Sequence, residues 1–297
     1  MNNDRIEDIE KTVYSGNCVV LFGAGIAVPP GQDWGGLIQK LANTFGVDPN
    51  LSQYDLVDMC METNRALFYQ CLKESFPALS VQTRTAALKL LQLPFLAYLT
   101  TNFDPSFKGI ATRERLKGSI WTYPDLPLHD SVTQNIYYLH GQFDATRPIA
   151  DIDKIVFGRR AFEQAYRESL LSAFLLHVMV YFDVLFICFN PREKYIAEVI
   201  KRSRQIKRDI LRAKQNAPDT KLYVLWPEPE PPQIVEGKMI EDRSIEELTA
   251  LGLEVGVFDP KRTEGWIGLE EVLDRWIKKD PTNIFSPLQE GNWERQN

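Results

Sequence analysis

Three short clusters in this chain combine residue types that can hold a ligand or move protons: Gly23-Ala24-Gly25-Ile26, Thr100-Thr101-Asn102-Phe103-Asp104 and His140-Gly141. Glycines let a backbone turn approach a ligand more closely than any side chain permits, so amides around Gly23 and Gly25 can meet a nucleotide phosphate. The Asn102 amide donates and accepts at once. His140 carries an imidazole whose ordinary pKa lies near neutrality, which suits it to accept a proton. Asp104 adds a carboxylate that can orient a loop or balance developing positive charge. Taken singly, each has a structural explanation: a tight turn for the glycines, a turn cap for Asn102, a helix cap for Asp104 and a hydrogen-bonded core ring for His140.

The clusters share a position in the pattern. Each follows a short apolar run that reads as a buried strand: Cys18 to Phe22, Phe95 to Leu99, and Ile136 to Leu139. Further strands are expected at Val184 to Phe189, Lys221 to Trp226 and Leu253 to Phe258, with helical stretches such as Ile196 to Ala213 between them. Such alternation implies an α/β fold with a parallel sheet, which binds ligands at the carboxyl ends of its strands near a topological switch point. Ile6, Ile9 and Val13 mark an amino-terminal helix. From Trp34 to about Leu93 the pattern is mostly helical, with Leu37, Ile38 and Leu41 on one face and Leu67, Phe68, Cys71 and Leu72 on another. A second insertion is expected over about 106–135, within one domain spanning 1–297.

Composition narrows the classes. The 297 residues, 44% hydrophobic, can bury a substantial core. A formal charge of -6 argues against a surface built to neutralise phosphates, so nucleic acid is not expected as a direct ligand. The basic run Lys201, Arg202, Arg204, Lys207, Arg208, Arg212 and Lys214 reads as the solvated face of an amphipathic helix. Cys18, Cys60, Cys71 and Cys188 form no C-x-x-C pair, so neither a zinc site nor a disulfide framework is expected. With no secretory pattern at Met1 to Arg5, a reducing cytoplasm is expected. Leu170 to Phe189 is apolar over a bilayer-spanning length, but His177 and Asp183 interrupt it. It reads as a buried helix ending near Tyr181 and then a strand, with no membrane contact. His129 and His177 lack metal-ligand partners at useful spacing, and Trp34, Trp121 and Trp226 can either stack on a base or fill the core. Val28 breaks the G-x-G-x-x-G fingerprint, which argues against an ordinary dehydrogenase.

In order and spacing the three clusters resemble the cofactor and catalytic motifs of the sirtuin-like superfamily, over most of the chain from about Cys18 to the Leu269–Ile277 segment. The chain looks closest to the bacterial sirtuin-like group that hydrolyses NAD in antiphage defence. The resemblance implies a Rossmann-like parallel sheet flanked by helices, with a helical insertion where deacylases carry a small zinc-binding domain. It implies NAD as substrate and no metal. Catalysis falls to Asn102, His140 and Asp104, and cofactor contacts to Gly23, Ala24, Gly25, Ile26, Thr100, Thr101, Gly141 and Asn190. Departures from the family pattern are the missing cysteine pairs, Ala27 in place of a serine, a 29–34 segment without the aspartate-phenylalanine-arginine loop, and Cys188-Phe189-Asn190 in place of a glycine-x-serine. Three functions fit: an NAD glycohydrolase, an NAD-dependent protein deacylase, and a non-catalytic NAD or ADP-ribose binding module. The resemblance also implies restraint by homo-oligomerisation or by an activating partner such as a HerA-type ATPase.

Overall fold

A computed structural model describes residues 2–26, 34–48, 50–75, 87–103, 106–113, 118–127, 134–143, 149–213, 219–229, 233–235, 238–240, 242–260 and 267–279. Asp104, Ala27 and His129 lie outside them. The elements run α1 (Asn2–Tyr14), β1 (Cys18–Phe22), α2 (Trp34–Phe45), α3 (Gln53–Thr63), α4 (Arg65–Ser75), α5 (described over 87–91), β2 (Ala97–Thr100), α6 (Ser106–Arg113), β3 (Ile120–Thr122) and β4 (Ile136–Tyr138). They continue with α7 (Arg159–Glu163), α8 (Leu170–Tyr181), β5 (Asp183–Ile187), α9 (Lys194–Arg212), β6 (Leu222–Pro227), β7 (Gln233–Val235), β8 (Lys238–Ile240), α10 (Ser244–Ala250), β9 (Glu254–Phe258) and α11 (Ile267–Lys279).

Seven strands pair in parallel in the order β3-β4-β2-β1-β5-β6-β9, while β7 and β8 form a separate antiparallel hairpin. From β1 the chain first builds outward through β2 and later returns to add β5 on the other side of β1. The switch point therefore lies between β1 and β5. Alternation along β1 divides the core: Cys18, Val20 and Phe22 face a layer containing Ile9 of α1, Phe107 of α6 and Trp276 of α11. Val19 and Leu21 face Phe174 and Leu175 of α8, Ile196 and Ile200 of α9 and Leu248 of α10. Both faces are covered, which is why these strands are apolar throughout. A third cluster joins Leu41, Leu56, Val57, Phe68 and Leu72 of α2 to α4 with Phe103, Phe143 and Phe157. This helical module packs on loops at the sheet's carboxyl edge.

Several local expectations change. β5 ends at Ile187 rather than Phe189, because Cys188 turns into the left-handed region at φ 51°. β4 ends at Tyr138, although the Leu139 amide still donates to the Thr100 carbonyl at 2.8 Å. Within 106–135 the chain contributes β3, which pairs with β4 through Ile120 opposite Ile136; three half-buried residues carry too little apolar signal to announce a strand. Leu67 is exposed rather than packed beside Phe68. Leu90, Leu91 and Leu93 belong to the main sheet layer, not to the helical module. Among the described residues no helix is long and apolar enough to cross a membrane.

Candidate functional site

Register sets the site. Phe22 lies opposite Thr100 on β2 and opposite Ile187 on β5, and Thr100 lies opposite Tyr138 on β4. Two residues beyond each strand stand Ala24, Asn102, His140 and Phe189, so the four loops meet the carboxyl edge at one level. Backbone bonds extend the pairing into the loops. Thr101 N donates to Phe22 O at 3.3 Å, and Phe143 N to Phe103 O at 2.6 Å. Asn102 and His140 are thereby carried side by side.

The Gly23-Ala24-Gly25-Ile26 segment folds as one tight 3-10 turn, closed by Ile26 N donating to Gly23 O at 3.2 Å. Its glycines have an internal reason. A Cβ on Gly23 would stand 2.8 Å from the Cys188 carbonyl oxygen, and one on Gly25 would stand 3.0 Å from the Cys188 Cβ. The β1 and β5 loops need those two absences in order to pack, whatever else the turn binds. Ile26 is buried in the core with Phe22, leaving Ala24 and Gly25 as the partly exposed members of the turn.

Thr100 is fully buried, and its hydroxyl accepts from the Asn102 backbone N–H at 3.0 Å. Thr100 therefore shapes the turn that presents Asn102 instead of offering its own side chain to a ligand. Thr101 is partly exposed. Asn102 Oδ1 is buried and has no hydrogen-bond partner among the described residues, and the same holds for Gln142 Nε2 on the His140 loop. An unpaired buried acceptor costs free energy that a ligand donor would relieve. Gln142 drew no attention in the sequence. Its signal was weak: one polar residue directly after His140-Gly141.

His140 is 5% exposed, ringed by Phe103 and Phe162 with centroids at 6.2 and 5.0 Å. Its Nε2 lies 2.8 Å from the Tyr166 hydroxyl. Burial pushes its pKa down to about 3, so the expectation of a ring titrating near neutrality does not hold in this pocket. The ring is a neutral hydrogen-bonding group. Gly141 turns at φ 83°, and a Cβ there would stand 2.4 Å from the Lys154 carbonyl. That turn lets His140 O accept from Val156 N at 2.9 Å.

Asn190 is exposed, but its Oδ1 already accepts from both the backbone amide and Nε of Arg192, each at 3.1 Å. It caps the turn leading into α9. Glu193 completes that entry: Oε2 accepts from the Tyr195 and Ile196 amides, while Oε1 accepts from the Tyr54 hydroxyl of α3. The helical module is thus tied to the β5 side of the edge. Trp34 donates to Gln53 at 2.7 Å and lies over Phe157, and Trp226 donates to Ser244 at 2.9 Å. Both are committed to packing. His177 is exposed beside Tyr181. The Trp121 indole N–H is buried without a hydrogen-bond partner among the described residues. Of the residues that sequence reasoning missed, Gln142 lies directly beside the His140-Gly141 pair, whereas Tyr166 and Glu193 are brought in by long-range packing that no short motif encodes.

A family model described as a SIR2-like domain matches residues 96–248, just over half of the 297. The match begins at β2 and takes in Asn102, His140, Tyr166 and Asn190 but not the Gly23 turn. No curated protein matches the chain.

Proposed function

The chain belongs to the SIR2-like family, which includes NAD-dependent enzymes, and on that premise we propose that it is an NAD glycohydrolase, cleaving NAD to nicotinamide and ADP-ribose. One observation carries the reading. Asn102 and His140 stand level at the carboxyl edge after the adjacent strands β2 and β4, and Asn102 Oδ1 is a buried acceptor without a hydrogen-bond partner among the described residues.

Nicotinamide leaves as a neutral molecule, so the reaction asks for little acid; its demands are a stabilised oxocarbenium-like transition state and a placed nucleophile. Asn102 holds a ribose hydroxyl through one end of its amide and the attacking water through the other. His140, neutral at working pH, holds a ribose hydroxyl by a hydrogen bond and adds no charge to the site. Phosphates lie against the turn at Gly23 to Ile26, whose Ala24 and Gly25 are its accessible part. Asp104 balances positive charge as it develops, Thr101 and Gly141 line the ribose side, and Asn190 offers its free amide hydrogens to the adenosine ribose.

The donor set favours hydrolysis over zinc-supported deacylation. The four cysteines form no C-x-x-C pair, and Cys60 and Cys71 are instead buried in the apolar core of the helical module. We extend the reading to antiphage defence by NAD depletion in the cytoplasm, restrained by homo-oligomerisation or by a HerA-type ATPase. A second reading, a non-catalytic NAD or ADP-ribose binding module, is favoured by the commitment of Asn190 to Arg192.

Purified protein, alone and with the product of the adjacent gene, should release nicotinamide from NAD. Asn102→Ala and His140→Ala should each abolish release. Full turnover by both variants would sink the assignment, and tight NAD binding with no turnover under any condition would favour the second reading.

A further inference from the structure

Tyr166 lies in a single π-helical turn, Gln164–Glu168, between α7 and α8. Such turns insert one residue into a helix and redirect a side chain, at a cost in hydrogen-bond geometry that functional positions often explain. Here the redirected ring packs into an aromatic trio, in which Phe162 and Tyr195 also stack on each other at 5.3 Å. Tyr166 stacks on Phe162 at 5.9 Å with 5° between planes and on Tyr195 at 5.5 Å with 28°. Its hydroxyl reaches His140 Nε2 at 2.8 Å and makes no other hydrogen bond among the described residues.

A neutral imidazole carries one proton on two nitrogens, and the partner of one nitrogen decides where it sits. Burial keeps the His140 ring neutral and pushes the Tyr166 phenol pKa well up, so both groups keep their single proton. Consider the two arrangements. If Nε2–H donated to Tyr166, the buried phenolic proton would have no acceptor, and the Nδ1 lone pair would have no donor. If Tyr166 donates to Nε2, both atoms of that contact are satisfied and only Nδ1–H remains, free of any hydrogen bond to a described residue. The second leaves fewer unmet groups.

We infer that Tyr166 is a positioning residue that donates its phenolic proton to His140 Nε2, fixes the ring proton on Nδ1, and thereby makes His140 a hydrogen-bond donor to its ligand. The inference rests on the proposed NAD site only for the identity of that ligand, a ribose hydroxyl oxygen. It changes the role of the histidine. A ring whose Nε2 lone pair is already engaged and whose Nδ1 is protonated orients the ribose and does not act as a general base.

The chain has three histidines, so 15N-histidine labelling yields three ring systems, and His140→Gln identifies the one in question. In the wild-type protein without NAD, the His140 signals should show a protonated Nδ1 and an unprotonated Nε2, unchanged between about pH 8 and pH 5. Tyr166→Phe should convert them to a mixture of tautomers or to the Nε2–H form. With NAD as the probe, the same variant should lose about tenfold or more in kcat, the scale on which losing the hydrogen-bond partner of a metal-ligating imidazole acts. A protonated Nε2 in the wild type would overturn the inference whether or not the variant folds, and so would an unaltered tautomer in folded Tyr166→Phe. The spectroscopic result needs no turnover. A wild-type protein inert toward NAD would therefore defeat the proposed activity while leaving the tautomer assignment to stand or fall by itself.

Discussion

At the scale of single residues, His140 links the site to stability. In the unfolded chain an imidazole takes up a proton near pH 6.5, whereas in the fold desolvation holds its pKa near 3. Between those values the unfolded state binds more protons, so this residue's contribution to stability is present above about pH 6.5 and is lost as pH falls toward 3. The loss amounts to about 2 kcal/mol at pH ~5. Comparing urea unfolding at neutral and mildly acidic pH for the wild type and His140→Gln should show a shallower pH dependence in the variant. Equal slopes would mean that the native ring is not held neutral.

Among elements, the entry to α9 carries an unusual concentration of work. Glu193 caps the helix with one oxygen and accepts from Tyr54 of α3 with the other, so a single carboxylate joins the helical module to the β5 side of the sheet edge. Desolvation, followed by the charge of Glu193, raises the Tyr54 pKa and keeps that hydroxyl a donor. Tyr54→Phe should destabilise the protein by about 1 kcal/mol and Glu193→Ala by about 1–2 kcal/mol, each read from urea midpoints. The double variant should cost less than the sum, because both changes break the same bond. Strict additivity would show that the two side chains are not coupled in solution. α3 lies within the span from Trp34 to about Leu93 that the sequence marks as mostly helical; its partner at the α9 cap is not legible there, since Tyr54 and Glu193 are 139 positions apart.

For the whole molecule, the family relationship and the missing zinc ligands meet in the helical module. Among the described residues no group of three or more histidine, cysteine or acidic side chains is placed to hold a metal ion. Leu41, Leu56, Phe68 and Phe157 instead give the module an apolar core of its own. Treatment with EDTA or phenanthroline should therefore leave both the thermal midpoint and NAD turnover unchanged. A fall in the midpoint on chelation, reversed by added zinc, would reveal a structural metal and reopen the deacylase reading.

Local composition by itself determined the strands that bear the chemistry. Cys18 to Phe22, Phe95 to Leu99 and Ile136 to Leu139 are apolar because both faces of a parallel sheet are covered, and they overlap the observed β1, β2 (Ala97–Thr100) and β4 (Ile136–Tyr138). That is a property of neighbouring residues, and it sets Asn102 and His140 at strand ends. Strand order, register and burial were decided only in three dimensions. β3 was too short to declare itself, and the level placement of Asn102 beside His140 depends on Thr100 pairing with Tyr138. The glycines of the first turn answer to Cys188, more than 160 residues away in sequence. The neutral state of His140 comes from aromatic rings and a tyrosine brought in from a distant helical turn, because desolvation depends on what packs around a group and not on its neighbours along the chain.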